Sequence, residues 1–143
     1  MSYREWFVKH ANKQREIVQK LVTNGLNKEQ IIDYFDFDNM VKEEPDFCYL
    51  YADKKKCHDI ANLNCYLCAC PLFRFKDAGI YEIDGKNVYS YCSVDSKYGR
   101  HGVYGEKIHQ DCSKCSVPHG KKYISKNYDE NWLKIMKNCD EGE

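Results

Sequence analysis

The sequence predicts an α+β protein: a small, irregular, metal-stabilised core carrying a β-hairpin, preceded by an N-terminal helical hairpin and followed by a C-terminal helix. Three observations lead there. Apolar residues recur at helical spacing over the first 35 positions, a two-residue turn signal sits between β-prone runs near position 84, and nine cysteines are distributed over a polar chain of 143 residues. With mean hydropathy −0.75, a small core needs added cross-links to stay folded.

The first helix is expected over residues 3–23. Phe7, Ala11, Val18 and Leu21 fall on one stripe, interrupted by Gln14 and flanked by Trp6, Ile17 and Val22. Asn24-Gly25 supplies a stop. Asn27 and Gln30 form a capping-box pattern, so a second helix should start at Lys28 and bury Ile31, Ile32 and Phe35. Pro45 closes this unit, giving a helical extension over 1–45. Its two helices match a helix-turn-helix only in spacing that any helical hairpin shares.

Residues 46–125 form the expected cysteine-rich core. Segment 46–75 reads as loops and short turns. The run GIYEIDGKNVYSYC reads as a hairpin turning at Asp84-Gly85. Segment 93–111, with Gly99, Gly102 and Gly105, reads as a loop. Over 126–143, Asp129 is expected to cap a final helix with Trp132, Ile135, Met136 and Cys139 on one face.

Charge and composition exclude several functions. Lys+Arg and Asp+Glu are both 22, and a balanced chain is a poor non-specific binder of nucleic acid. The start MSYREWFVKH is no signal peptide, and no apolar run has the length of a membrane span. A cytoplasmic protein is expected, with no membrane contact and nucleic acid an improbable partner; another protein is the partner class left open. In a reducing cytoplasm, closely spaced cysteines read as metal ligands before disulfides, and their odd number does not suit a closed disulfide set. The 12 tyrosines are read as packing for a core short of aliphatics.

Two clusters carry the chemistry. NCYLCACPLF supplies Cys65, Cys68 and Cys70; DCSKCSVPH supplies Cys112, Cys115 and His119. Each holds a C-x-x-C pair, which turns two thiolates onto one ion. KKKCHDI adds Cys57 and His58. These eight residues would fill two tetrahedral zinc sites, with a net charge of about −2 for six thiolates, two neutral imidazoles and two Zn²⁺. Cys70 lies two residues past Cys68, so its side chain is expected to serve a different ion. His119 is expected with Cys112 and Cys115, and Cys57 or His58 with the first cluster. Cys48, Cys92 and Cys139 are read as buried small hydrophobes, His10 as having no partner in view, and His101 and His109 as surface histidines of the long loop, with an open site between those two as the alternative.

The strings CHDIANLNCYLCACPLF and DCSKCSVPH resemble the cysteine-rich small domain family, a zinc-finger-like group regarded as metal-binding. The resemblance covers roughly residues 46–125 and includes Pro71, Asp111, Ser113 and Pro118. It implies metal binding and no particular reaction. Short members carry a cysteine close before the Cys-His pair, whereas here Cys48 stands nine positions ahead of Cys57. Three functions follow in order: a zinc protein with a structural or interaction role, an iron–sulfur protein for electron transfer or sensing, and a metal-dependent enzyme. Histidine among the ligands favours zinc. No H-E-x-x-H, Ser/His/Asp set or phosphate-binding glycine loop supports a specific reaction.

Overall fold

The structure is a computed structural model and describes residues 2–58 and 60–141. It is α+β. Helix α1 spans Tyr3–Thr23 and opens with a capping box between Ser2 and Glu5. Asn24 ends it, and Gly25 takes the left-handed conformation (φ 82°) that lets the chain reverse. Helix α2, Lys28–Tyr34, begins with the expected capping box of Asn27 and Gln30. Its buried residues are Ile31 and Ile32, and Phe35 follows fully buried as the C-cap.

The chain then forms α3, Phe37–Glu43, which the sequence reading left out. This helix is only two turns long and buries Phe37 and Met40, too little to register as a period. A short 3₁₀ turn over Tyr49–Asp53 leads to Cys57.

Among the described residues, six short strands form two sheets. β1 (Phe73–Phe75) pairs antiparallel with β4 (Ser90–Cys92). β2 (Tyr81–Ile83) and β3 (Lys86–Val88) make the expected hairpin. Its turn residues Asp84 and Gly85 both have positive φ (51° and 78°), as a type I′ turn requires.

Segment 93–111 departs from expectation. Residues 93–99 are a loop as expected, but 100–111 form a second hairpin, β5 (Arg100–Tyr104) and β6 (Lys107–Asp111), and the larger sheet runs β2-β3-β6-β5. The turn is Gly105-Glu106 with Gly105 at φ 66°. A Gly-X pair between β-prone runs was the available signal. Three glycines masked it.

The C-terminal region is also more broken than expected. Helix α4 (Lys121–Lys126) precedes α5, which covers Trp132–Ile135 alone and is capped by Asn131, not Asp129. Past α5 the chain pairs with β1: Phe75 N–H donates to the Cys139 carbonyl and Glu141 N–H to the Phe75 carbonyl. That pairing stops a helix from running on to 139. Trp132, Met136 and Cys139 are nevertheless buried together. The last two residues of the expected C-terminal segment lie outside the described residues.

One apolar core runs from Phe7 on α1 through Phe35, Tyr66 and Phe75 to Trp132 and Cys139. It crosses the expected boundaries at 45 and 125. Phe7 meets Phe75 and Trp132 at ring-centroid distances of 5.3 and 5.0 Å. Among the described residues no helix is long and apolar enough to cross a membrane.

Candidate metal centre

The site begins with Asn64, a residue that sequence reasoning passed over. It is fully buried and every polar group it offers is used. Its amide nitrogen donates to the Ile32 carbonyl (2.7 Å) and to Asp36 Oδ1 (2.8 Å), and its Oδ1 accepts from Tyr66 N–H (2.9 Å). On the main chain, Asn64 N–H donates to the His119 carbonyl (3.1 Å) and Cys65 N–H to the Phe35 carbonyl (2.8 Å). The end of α2, the first C-x-x-C turn and the segment around His119 are thereby tied at one point. The asparagine that opens N-C-x-x-C was the signal.

His119 lies in a 3₁₀ turn, Val117–His119, and is buried. Its Nδ1 is 2.8 Å from the Asn64 carbonyl oxygen. A carbonyl only accepts, so Nδ1 carries the hydrogen and Nε2 keeps its lone pair. That Nε2 lies 3.7 Å from Cys57 Sγ. His58 is arranged the other way round. Its Nε2 is 2.9 Å from the Cys112 carbonyl oxygen and therefore bears the hydrogen, leaving the Nδ1 lone pair 3.0 Å from Cys57 Sγ. The two rings are 4.6 Å apart. Cys57 Sγ and the nearest imidazole nitrogens all lie within 4.8 Å of one another, a spacing an ion can bridge. His119 thus joins Cys57 and His58, not Cys112 and Cys115, and the adjacent pair Cys57-His58 points at one place. Burial raises the Cys57 thiol and lowers His119 below the ordinary imidazole value.

The remaining cysteines fall into two neighbourhoods. Cys68 is within electrostatic range of Cys65, Cys57 and Cys48, and Cys65 of Cys57 and Cys48. Cys112 is within range of Cys70, Cys115 and Cys92. Burial is the largest cause in each case. It pushes Cys65 and Cys112 up to about 12 and Cys70 to about 11, and charge on the neighbouring thiols adds to this. Such groups ionise together only when a cation is present to offset them.

Cys68 and Cys70 separate because the backbone between them is left-handed. Ala69 and Cys70 have φ of 89° and 56°, a conformation that costs a residue with a Cβ about 1 kcal/mol or more. The second C-x-x-C closes by Cys115 N–H donating to the Cys112 carbonyl (2.9 Å). Asp111 sets it: Oδ1 accepts from the Ser113 N–H (3.0 Å) and hydroxyl (2.7 Å), and Oδ2 pairs with Arg100 Nε at 3.0 Å. The Ser113 hydroxyl is the main reason the Asp111 carboxyl is held down to about 2.

A cavity of about 920 Å³ opens between α1, β6 and both thiol neighbourhoods, and all the expected ligands except Cys65 border it. Cys65 is buried beneath, where the Tyr51 hydroxyl is among its neighbours. Cys139 also borders the cavity, but its Sγ donates to the Cys70 carbonyl at 3.5 Å, in keeping with packing. The other histidines stand apart. His10 is buried among Trp6, Phe47 and Trp132. His101 is exposed on β5. His109 pairs across from Gly102 while His101 faces Gln110, so the two histidines point to opposite faces and share no site. His109 is not a free surface residue either: Nδ1 lies 2.6 Å from the Tyr3 hydroxyl.

In comparisons with known proteins, no family model, no curated protein and no solved structure matches this chain.

Proposed function

We propose that the protein binds zinc through Cys57, His58 and His119, with Cys65 or Cys68 available to complete the shell, and that the ion has a structural or interaction role in a reducing cytoplasm. One observation carries this reading. Both imidazoles have their outer N–H engaged by a backbone carbonyl, Asn64 for His119 and Cys112 for His58, while their inner nitrogens converge on Cys57 Sγ. Outer hydrogen bonds of this kind fix the tautomer and aim a histidine at a metal. A mixed sulfur and nitrogen shell suits zinc.

The motifs that resemble the cysteine-rich small domain family support the same reading. So do the thiols, of which all nine are free. Zinc bound here would join the segment before Asn64 to the turn that holds His119, contributing folding energy to a polar chain. Cys57, His58 and His119 are the three ligands already gathered; with Cys65 or Cys68 turned in as the fourth, the shell would have no open position for chemistry, and the proposed partner is another protein.

The test is metal content after anaerobic purification, with an absorption spectrum. Zinc in a colourless protein, reduced in His119→Ala, supports the proposal. A coloured protein that bleaches on reduction and releases sulfide would replace it with the iron–sulfur reading. Metal retained in full by both His119→Ala and Cys57→Ser would overturn the site.

A further inference from the structure

We propose that Cys70, Cys92, Cys112 and Cys115 form a second metal site made only of thiolates, beside the Cys57–His58–His119 centre and taking a soft divalent ion such as zinc. The inference rests on the zinc reading above and adds a residue, Cys92, that the sequence reading had assigned to packing.

Four structural facts bring these cysteines to the rim of one cavity. First, the left-handed pair Ala69-Cys70 turns Cys70 away from Cys68, and the Cys70 carbonyl then accepts from Phe73 N–H (3.1 Å) at the start of β1. Second, β1 pairs with β4 so that Phe73 faces Cys92, and Ser93 N–H donates to the Leu72 carbonyl (2.9 Å). Cys92 therefore sits across the ladder from the strand that Cys70 introduces. Third, β4 is joined to β6, whose end leads directly into Cys112: Gln110 N–H donates to Ser90 Oγ at 2.7 Å. Fourth, the loop after β4 returns to the second C-x-x-C, where Ser96 Oγ is 3.7 Å from Cys115 Sγ. All four cysteines border the same cavity.

The chemistry of this set differs from that of its neighbour. No imidazole belongs to it. Cys139, a fifth sulfur close by, is held by the Cys70 carbonyl and by Met136 Sδ at 3.9 Å, and is left out. Tetrahedral zinc with bonds of about 2.3 Å needs its sulfurs about 3.8 Å apart. Among the described residues only Cys57, His58 and His119 are gathered that closely, so the four thiols meet their ion by side-chain rotation. Each thiol gives up its proton to solvent as the ion binds. The two centres are tethered, since His58 donates to the Cys112 carbonyl.

The experiment is anaerobic cobalt(II) loading of the full chain, followed through the sulfur-to-cobalt absorption and by stoichiometry. Wild type should take up about two ions per chain. Cys92→Ser should keep about one and lose the four-thiolate absorption, and His119→Ala should do the converse. Two ions with an unchanged spectrum in Cys92→Ser would overturn the assignment. One ion in wild type, lost in His119→Ala, would overturn the second site and leave the zinc reading standing; no ion at all would remove both. If Cys92→Ser does not fold, cadmium NMR of the wild type decides. A resonance in the all-sulfur region beside a mixed sulfur–nitrogen one supports the proposal, and a mixed signal alone refutes it.

Discussion

His119 and Asn64 bind each other twice: Asn64 N–H donates to the His119 carbonyl and His119 Nδ1–H donates to the Asn64 carbonyl, at 3.1 and 2.8 Å. This reciprocal pair joins segments that are distant in sequence, and it presents His119 Nε2 to Cys57. The Asn64 side chain holds its own backbone in place from α2. Asn64→Ala should therefore act at two levels. It leaves the Tyr66 N–H without its acceptor, costing about 1–3 kcal/mol of stability, while the Ile32 carbonyl keeps the Phe35 N–H. It also loosens the support of His119, so zinc affinity should fall about 10–100-fold, the range for loss of a ligand's outer partner. Chemical denaturation and competition with a chromogenic chelator measure the two effects separately. Lost stability with unchanged affinity would show that the pair does not orient the histidine.

Tyr51 gives a second expectation, because its effect should reverse with metal. Its hydroxyl is buried and makes no hydrogen bond of ordinary geometry among the described residues, and the Cys65 thiol beside it is the nearest candidate partner. An unpartnered buried hydroxyl destabilises the metal-free protein, whereas the same group beside a metal-bound thiolate becomes a charge-assisted donor. Tyr51→Phe should leave the metal-free chain as stable as before or better. It should cost the zinc-loaded protein about 1–2 kcal/mol. Thermal melts with and without chelator compare the two states. Equal shifts in both would remove Tyr51 from the neighbourhood of the ion.

The pH dependence of stability should show His10. The ring is packed between Trp6 and Trp132, its centroid 4.6 and 5.2 Å from theirs. Burial, with Lys13 adding to it, lowers its pKa to about 4 from 6.5. The unfolded chain then takes up a proton before the folded one does. The contribution of the neutral ring is fully present above about pH 6.5 and is lost as pH falls toward 4, to a total of about 3 kcal/mol. Metal release also destabilises in acid, so the measurement is a difference. With zinc removed, wild type should lose more stability between pH 6.5 and 4 than His10→Phe does. Parallel curves would show that the ring is protonated in place.

The helical third of the molecule was legible because its signals are local. The stripe through Phe7, Ala11, Val18 and Leu21 and the Asn27–Gln30 box need only neighbouring residues to act. The Asp84-Gly85 turn was legible for the same reason. The β5–β6 hairpin was not, since its pairing with β3 decides between strand and loop, and β3 lies some twenty residues away. Nor was the short α5, where pairing of residues 139–141 with β1 overrides helical spacing. At the site, the identity of candidate ligands could be read from C-x-x-C spacing. Their grouping could not, because His119 is aimed by Asn64, a contact between residues 55 apart in sequence. Cys68 and Cys70 lie in different neighbourhoods, and the left-handed backbone at Ala69 and Cys70 is what separates them.

That separation supplies the last expectation. Ala69 stands at φ 89° between two cysteines that face different ways. A Cβ there is strained, and glycine would relieve the strain while adding freedom to the unfolded chain. The two effects oppose each other. Relief of about 1–2 kcal/mol for a left-handed non-glycine residue should exceed the entropic loss of about 0.4–1 kcal/mol. Ala69→Gly should therefore leave the metal-free protein unchanged or stabilise it by up to about 1 kcal/mol. Ala69→Val should do the opposite, since a β-branched residue tolerates positive φ least. If the turn also sets which ion Cys70 serves, Ala69→Val should lower metal content as well as stability, and Ala69→Gly should not. Melting curves with metal analysis on both variants settle the point: a stable Ala69→Val protein with full metal content would show that the left-handed turn is not needed to part the two sulfurs.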